Sequence, residues 1–167
     1  MFALIAQNTT GLTLALLGAV IAYVFPAIAS GIGGRMVAEA ANGVLSEDPQ
    51  KFGQCLLLQA ITATQAIYGL IISFLILQRT GIITGAPLNL TVESGLYFLL
   101  AALPIAISAT FTGISQGRAS MAGISLVAKH PGEVGKAAMH AAMIETNQIL
   151  GLLISFLIWA NVPVILN

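Results

Sequence analysis

The sequence predicts an all-α membrane protein, with four transmembrane helices that form two duplicated helical hairpins and assemble into a ring. Two observations support this fold class. Hydrophobic residues make up 57% of the 167 residues and charged residues only 7%, whereas about 25% of a soluble domain is charged. The chain also repeats itself at a constant offset of 82 residues. So much apolar surface requires lipid as the solvent, and without a basic patch we expect no nucleic-acid partner.

Four apolar segments are each long enough to cross a membrane, which takes about 20 helical residues for a hydrocarbon core of ~30 Å. They span residues 10–45, 52–77, 92–127 and 134–159. Short polar breaks that contain Pro49 and Pro131 separate the members of each pair, which predicts helical hairpins. The predicted units are a first hairpin, a non-cytoplasmic linker and a second hairpin, at residues 1–80, 81–91 and 92–167.

The repeat keeps one register through both hairpins, without a gap. The matched residues include Gly31-Ile32 with Gly113-Ile114, Pro49 with Pro131, Gly53 with Gly135, and Ser73-Phe74-Leu75-Ile76 with Ser155-Phe156-Leu157-Ile158. A single offset indicates that one two-helix hairpin was duplicated. Reuse of one packing solution suits a quasi-symmetric assembly.

The two helices of each predicted hairpin differ in composition. The first and third segments are rich in Gly, Ala and Ser, including the pair Gly113 and Gly117, whereas the second and fourth carry more Leu, Ile and Phe. Small residues let helices approach closely in lipid. We therefore expect the first and third helices in a crowded inner layer and the other two on a lipid-facing outer layer, which favours a ring or a tight bundle.

The basic residues predict the orientation in the membrane. Five of the six lie on the side of the two short hairpin turns, at Arg35, Lys51, Arg118, Lys129 and Lys136. Arg79 lies toward the other side. Because cytoplasmic loops carry an excess of Lys and Arg, we expect both turns in the cytoplasm and both termini on the non-cytoplasmic side of the cell membrane.

Glu145 is a carboxylate near the middle of the fourth apolar segment. A charged group at bilayer depth costs about 2.5–3.5 kcal/mol on insertion scales, so the default interpretation is an ion or proton site. Counted from the prolines of the turns at 1.5 Å per residue, Gln65 and Gln116 fall within about 3 Å of the same depth. Three polar side chains on three helices are thus predicted to meet in one plane.

The groups near that plane bear on which ion binds. The oxygen atoms that could bind a cation belong to the Glu145 carboxylate, the Gln65 and Gln116 amides, the Thr64 hydroxyl and the Ile61 backbone carbonyl. Tyr68 shares a helix face with Thr64 and Gln65 and is placed to donate to Glu145. A proton needs one carboxyl group, whereas a bare alkali cation needs several oxygen ligands. The inventory favours Na⁺ and leaves H⁺ as an alternative.

Each of these groups also has a structural interpretation. Gln65 or Gln116 alone is more often a hydrogen-bonding contact between helices than a ligand, and Thr64 alone usually bonds back to its own helix. Tyr68 alone usually packs, whereas the cost of burial disfavours a purely structural Glu145. Agreement in depth favours the ligand interpretation. Four further polar residues keep an open role: Thr62, His140, Asn147 and Gln148.

At these residues the chain resembles the proteolipid rotor subunit of V-type ATPases, of the bacterial sodium-pumping type, over essentially its whole length. The motifs that carry the resemblance are Phe52-Gly53-Gln54, Gln59, Thr64-Gln65, Tyr68-Gly69, Gly113-Ile114, Gln116-Gly117, and Glu145-Thr146 followed by Ile149-Leu150-Gly151. The resemblance implies a ring with one essential carboxylate per four helices, at Glu145, whose counterpart in the first hairpin is Ala63. It also implies a Na⁺ site formed by Ile61 (through its carbonyl), Thr64, Gln65, Gln116 and Glu145. Tyr68 would contact Glu145 without binding the ion.

The function implied by the resemblance is ion translocation by a membrane rotor, with no catalytic residue in this chain and ATP hydrolysis on other subunits. The expected partners are copies of the chain in a ring, a stator membrane subunit with an essential cation, central stalk subunits at the cytoplasmic turns, and membrane lipids. Two alternatives stay open. One is a proton-translocating rotor of the same architecture, and the other is a stand-alone small channel or carrier, which needs a continuous pore within one protomer.

Overall fold

A computed structural model describes the backbone of residues 2–163 and the side chains of residues 10–163. Over that part, the α-helices are α1 (Phe2–Glu47), α2 (Phe52–Ile61), α3 (Thr64–Arg79), α4 (Val92–Lys129) and α5 (Val134–Ala160). Single 3₁₀ turns at Pro49–Lys51 and Pro131–Glu133 lead into α2 and α5. Residue 1 and residues 164–167, which include the C-terminus assigned to the non-cytoplasmic side, lie outside the described residues.

Within the described residues, four helical stretches are long and apolar enough to cross a membrane. They are Thr10–Glu47, Pro49–Arg79, Val92–Lys129 and Pro131–Ala160, which confirms the predicted all-α membrane class. Pro26 and Pro104 lie inside α1 and α4, and both helices continue through them. At the second proline the Ser155 hydroxyl of α5 accepts the amide N–H of Ile105 at 2.9 Å, as expected where a neighbouring helix satisfies backbone groups near a proline.

The second span is interrupted, whereas the sequence predicts one continuous helix over residues 52–77. The interruption falls at Thr62 and Ala63, whose amides bond three residues back, to the carbonyls of Gln59 and Ala60. The Thr62 hydroxyl also donates to the Gln59 carbonyl at 2.7 Å. Hydroxyls that bond to backbone carbonyls compete with the regular helical ladder, so we attribute the break to the threonines rather than to a proline or glycine. The span therefore consists of two helices, α2 and α3.

The most extensive contact between helices in the described chain joins α1 and α4. Glycines bring the two backbones together. A Cβ atom at Gly117 would overlap the backbone of Gly33, and one at Gly95 would overlap the backbone of Gly11. Such close approach is what small residues permit in a membrane. All of the long helices expose large apolar side chains on the single chain, such as Ile28 of α1, Phe74 of α3 and Phe111 of α4.

The two hairpins point the same way, with both short turns at one end of the bundle. There, Lys51 donates from Nζ to the Ala128 carbonyl at 2.7 Å, and Gln54 donates from Nε2 to the Pro131 carbonyl at 3.1 Å. At the opposite end, Arg79 donates to the Trp159 carbonyl at 2.7 Å. The first hairpin thus contacts the second at both ends, and the middle of the bundle between these contacts holds the polar residues.

Candidate ion site

The middle of the bundle gathers polar side chains from three helices at the interruption of the second span. Gln65 of α3, Gln116 of α4 and Gln148 of α5 are fully buried there. Thr64 is the first residue of α3, so Gln65 and Tyr68 lie in the first turns after the break. Broken helices are a common way to bring ion-binding groups to mid-membrane depth, because unwound backbone carbonyls become available.

Gln65 and Gln116 are joined in a hydrogen-bonded chain that fixes both amides. The Nε2 atom of Gln65 donates to Oε1 of Gln116, and Nε2 of Gln116 donates to the Ala141 carbonyl of α5 at 3.2 Å. The Oε1 atom of Gln65 is buried and contacts no donor among the described residues. A buried acceptor without a donor costs free energy, and a cation satisfies it.

Glu145 is half-buried and is held from α3. The Tyr68 hydroxyl donates to its Oε1 at 2.7 Å, so the carboxylate is joined to the helix that also carries Gln65. This bond bridges the two hairpins, since Tyr68 belongs to the first and Glu145 to the second. A distance of 2.7 Å is typical of a hydrogen bond from a hydroxyl to a carboxyl oxygen.

Thr64 and Ile61 lie together at the break. The Thr64 hydroxyl donates to the Ile61 carbonyl at 3.1 Å, which is the local bond that a threonine usually makes. A hydroxyl oxygen that donates its proton keeps two lone pairs, so Thr64 retains the capacity to bind a cation. The structure therefore puts these two oxygens next to each other, one residue from Gln65.

The break is also supported from α1, by a residue that the sequence interpretation missed. The Ser30 hydroxyl donates to the Thr62 carbonyl at 2.9 Å. Its counterpart at the 82-residue offset is Thr112 of α4, whose hydroxyl donates to the Ser108 carbonyl at 2.7 Å and lies 3.5 Å from Oε1 of Gln148. Polar residues at equivalent positions of α1 and α4 were the signal for this pair. The Ala141 carbonyl was missed because Ala141 lies outside the turn of helix that the depth argument singled out on α5 and has no polar side chain.

The four residues with an open role are divided by burial. Thr62 and Gln148 are buried, whereas His140 and Asn147 are exposed on the single chain. Two of the four thus lie in the interior of the bundle. The arrangement as a whole offers one carboxylate and several neutral oxygens. Such a set forms a neutral complex with one monovalent cation, and a proton on the carboxylate gives the same net charge.

The fold defines a class of membrane protein: a duplicated helical hairpin, here with Glu145 in its fourth apolar span. Comparison with known proteins gives the family. The family described as the C subunit of ATP synthase matches residues 17–76 and again residues 99–158. The two matched stretches are separated by the same 82 residues as the internal repeat. The chain belongs to this family of ATP synthase C subunits.

Two relatives extend the comparison beyond the repeats. The chain is 43% identical to the V-type sodium ATPase subunit K of Enterococcus hirae, over 95% of this chain and 97% of that protein. It is 34% identical to the A-type ATP synthase subunit K of Methanocaldococcus jannaschii, over 90% of this chain and 64% of that protein. These findings confirm the predicted multi-pass membrane rotor subunit, which works in a ring while ATPase activity lies in other subunits.

Proposed function

We propose that this rotor subunit binds and translocates Na⁺, with Glu145 as its ion-carrying carboxylate and Gln65, Gln116, Thr64 and the Ile61 carbonyl as neutral ligands. The observation that carries the proposal is the buried Oε1 of Gln65, which no donor in the described part of the chain contacts. This oxygen belongs to an amide already fixed by Gln116. The sodium ATPase subunit of Enterococcus hirae, 43% identical, supports the same ion.

The ion-binding step follows from the charge of Glu145. An ionised carboxylate that faces lipid is costly, so the site can pass through the membrane only when a cation neutralises it. Tyr68 holds the carboxylate from α3, and the ion completes the cluster of oxygens. A cation on the stator subunit then draws the carboxylate away and releases the ion into an aqueous half-channel. A new ion enters from the other half-channel and restores neutrality.

The proposed orientation puts both short turns in the cytoplasm, against the central stalk, and both termini on the non-cytoplasmic side. Five of the six basic residues lie toward the turns, which supports this direction. The sixth, Arg79, is engaged by the end of α5. The exposed apolar faces of α3 and α5 are proposed to contact membrane lipids and neighbouring copies in the ring.

Carbodiimide labelling tests the ion at Glu145. We expect the reagent to modify Glu145 in purified rings and Na⁺ to slow the reaction at fixed pH, because a bound cation shields the carboxylate. Choline at the same ionic strength is the control. If Na⁺ gives no protection over choline, the sodium assignment is wrong, and the proton-translocating rotor replaces it.

Gln116→Ala tests the neutral ligands separately from the carboxylate. We expect weaker Na⁺ protection in rings that still assemble, because an amide oxygen is lost while the small residues that join α1 and α4 remain. Ring mass in detergent verifies assembly. Unchanged protection would reduce Gln116 to a hydrogen-bonding contact between α4 and α5.

A further inference from the structure

The contact between α1 and α4 uses a different face of each helix. On α1 that face contains Ala29 and Gly33, and on α4 it contains Gly113 and Gly117. A Cβ atom at Gly113 would lie 2.9 Å from Cβ of Ala29, and one at Gly117 would overlap the backbone of Gly33. At the 82-residue offset, however, the counterpart of Ala29 is Phe111 and not Gly113. The two repeats thus contact each other through faces that do not correspond.

The counterparts of these four contact residues are exposed on the single chain. Gly31 and Arg35 of α1 are the counterparts of the two α4 glycines, and Phe111 and Ser115 of α4 are the counterparts of the two α1 residues. All four are exposed, and Phe111, at 71%, is the most exposed large apolar side chain that the structure describes. Because α1 and α4 already contact through their other faces, one chain cannot join these two exposed faces to each other.

The exposed α1 face (Gly31 and Arg35) and the exposed α4 face (Phe111 and Ser115) are complementary in shape. A Cβ atom added to Gly31 would meet no neighbour within 4 Å among the described residues, so the surface of α1 is open there. The repeat places Phe111 opposite Gly31, since its counterpart Ala29 lies opposite Gly113. A large side chain thus faces a position without one, and glycines give such access between helices in a membrane.

A contact between the exposed faces must be wider than the contact inside the chain. Ser115 and Arg35 stand where the internal contact has Gly33 and Gly117, whose backbones leave no room for a Cβ atom. The Arg35 side chain extends along its own helix toward the hairpin turns, where its Nε lies 3.6 Å from Oε1 of Glu39. The side chain of Phe111 has the size to fill the additional width.

We propose that neighbouring copies in the ring join through these two faces, with Phe111 of one copy packed on Gly31 of the next. The partner is a second copy of the chain, because the repeated helices already make the corresponding contact once within each copy. A contact between two different faces is head-to-tail, and such contacts form closed rings when the rotation between copies allows it. The inference concerns assembly and does not depend on which ion Glu145 carries.

A swap of side-chain size tests the packing. We expect Gly31→Leu to lower the temperature at which purified rings dissociate, because the new side chain occupies the place of Phe111, while the open space around Gly31 lets the single chain accept it. Phe111→Ala alone should also lower that temperature, since it leaves a cavity. In the double variant the losses should compensate, so that it dissociates at a higher temperature than Gly31→Leu.

Gly43→Leu is the matched control for this swap. Gly43 is also a glycine of α1 whose added Cβ would meet no neighbour within 4 Å in the described chain, but it lies about three turns closer to the hairpin turn and on another side of the helix. The gain in helix propensity is the same at both glycines. We expect rings of this variant to dissociate at the wild-type temperature or above it, with no rescue by Phe111→Ala.

Cross-linking tests which faces meet. In chains with Cys55→Ala, Gly31→Cys and Phe111→Cys, we expect a short bismaleimide to convert the monomer band of purified rings into dimers, trimers and larger products. Either cysteine alone should leave monomers, since like faces do not meet in a head-to-tail contact. Phe111→Cys with Leu70→Cys is the control pair. Leu70 is exposed and lies five residues from Gln65, as Phe111 does from Gln116, but it belongs to α3.

Assembled rings of the double-cysteine variant that stay monomeric after cross-linking overturn the proposal, and would mean that lipid or another face of the neighbouring copy covers Phe111. Cross-linked dimers from either single cysteine overturn it as well. Should the double-cysteine variant fail to assemble, Arg35→Cys with Ser115→Cys decides by the same criteria. Because Na⁺ protection of Glu145 is measured separately, failure of this inference and failure of the proposed function are distinguishable.

Discussion

The two hairpins share their helix packing and differ in their chemistry. In the first, a Cβ atom added to Gly69 would overlap the Ala22 carbonyl and lie 2.8 Å from Cγ of Pro26. In the second, one added to Gly151 would lie 2.7 Å from Cβ of Ser108 and 3.1 Å from the Pro104 carbonyl. All three positions correspond at the 82-residue offset. The duplicated hairpins thus keep their closest backbone contact, because helices in lipid depend on such contacts for association.

The polar residues, in contrast to the packing contacts, differ between the two hairpins. Where the second hairpin has Glu145 and Gln116, the first has Ala63 and Gly34. Where the first has Gln65 and Tyr68, the second has Asn147 and Leu150. Neither hairpin holds all of the proposed ligands, so the proposed site needs residues from both hairpins. Helix contacts therefore constrain this duplicated membrane hairpin more than its polar chemistry does.

The largest effect is expected from moving the carboxylate between the hairpins. In the variant Ala63→Glu with Glu145→Ala, we expect no measurable ²²Na⁺ binding to assembled rings. The transplanted acid would have Leu150 in the place of Tyr68 and Gly34 in the place of Gln116, so it would have no donor and too few oxygens. Ala63→Glu alone is the control and should keep the original site. Restored binding in the double variant would show that the hairpins are chemically equivalent after all.

Tyr68→Phe should have the next largest effect, since it removes the bond that joins the hairpins at Glu145. A hydrogen bond to a charged group is worth about 1.5–3 kcal/mol, so we expect the Kd for Na⁺ to rise by about 10- to 100-fold. Tyr97→Phe, at an exposed tyrosine of α4, is the matched control. Equal affinities of the two variants would mean that the 2.7 Å bond does not hold the carboxylate for the ion.

Gly69→Ala and Gly151→Ala test whether the shared packing is equally tight in both hairpins. We expect Gly69→Ala to lower ring stability by about 1–3 kcal/mol, because its new methyl group meets a backbone carbonyl and a rigid proline ring. Gly151→Ala should be less destabilising, since the nearest backbone carbonyl, that of Pro104, would lie 3.1 Å from its new methyl group, whereas the methyl group at Gly69 overlaps the Ala22 carbonyl. Ser108→Gly is expected to rescue Gly151→Ala. Thermal dissociation of the rings measures these changes. Equal losses of stability in Gly69→Ala and Gly151→Ala would contradict the expected difference between the two hairpins.

The sequence predicts the fold well because its signals are local or periodic. The span lengths follow from composition, the hairpins from Pro49 and Pro131, and the duplication from a constant offset that also separates the two family matches. Glu145 stands out because a charged residue in an apolar span is costly. Local signals of this kind can be recognised without knowing how the helices are rotated against each other.

The details of the site depend on that rotation and could not be predicted. Hydropathy gives no indication of the break at Thr62, since threonine is tolerated inside membrane helices. The bond from Gln65 to Gln116, which leaves Oε1 of Gln65 buried, requires both helices to present those faces at one depth. Likewise, Gln148 could be recognised as polar but not as buried against Thr112.

The smallest effects are expected at the two ends, where cations of the first hairpin cap helices of the second. Arg79 donates to the carbonyls of Trp159 at 2.7 Å, Ala160 at 3.3 Å and Val162 at 2.9 Å, and its guanidinium lies 5.4 Å from the centre of the Trp159 ring. Cations stabilise helix C-termini through the unpaired carbonyls there. We expect Arg79→Gln to lower the thermal stability of the ring by about 1–2 kcal/mol.

Lys51→Gln should cost less, about 0.5–1 kcal/mol. Lys51 reaches one carbonyl, that of Ala128 at 2.7 Å, and shares its charge with Asp48 at 3.4 Å. Because a single ammonium makes a weaker cap than a guanidinium with several donors, the difference between the variants should persist at high salt, where exposed pairs are screened. A larger loss at Lys51 would mean that the first hairpin holds the second mainly through the turns, and not through the end that carries Trp159.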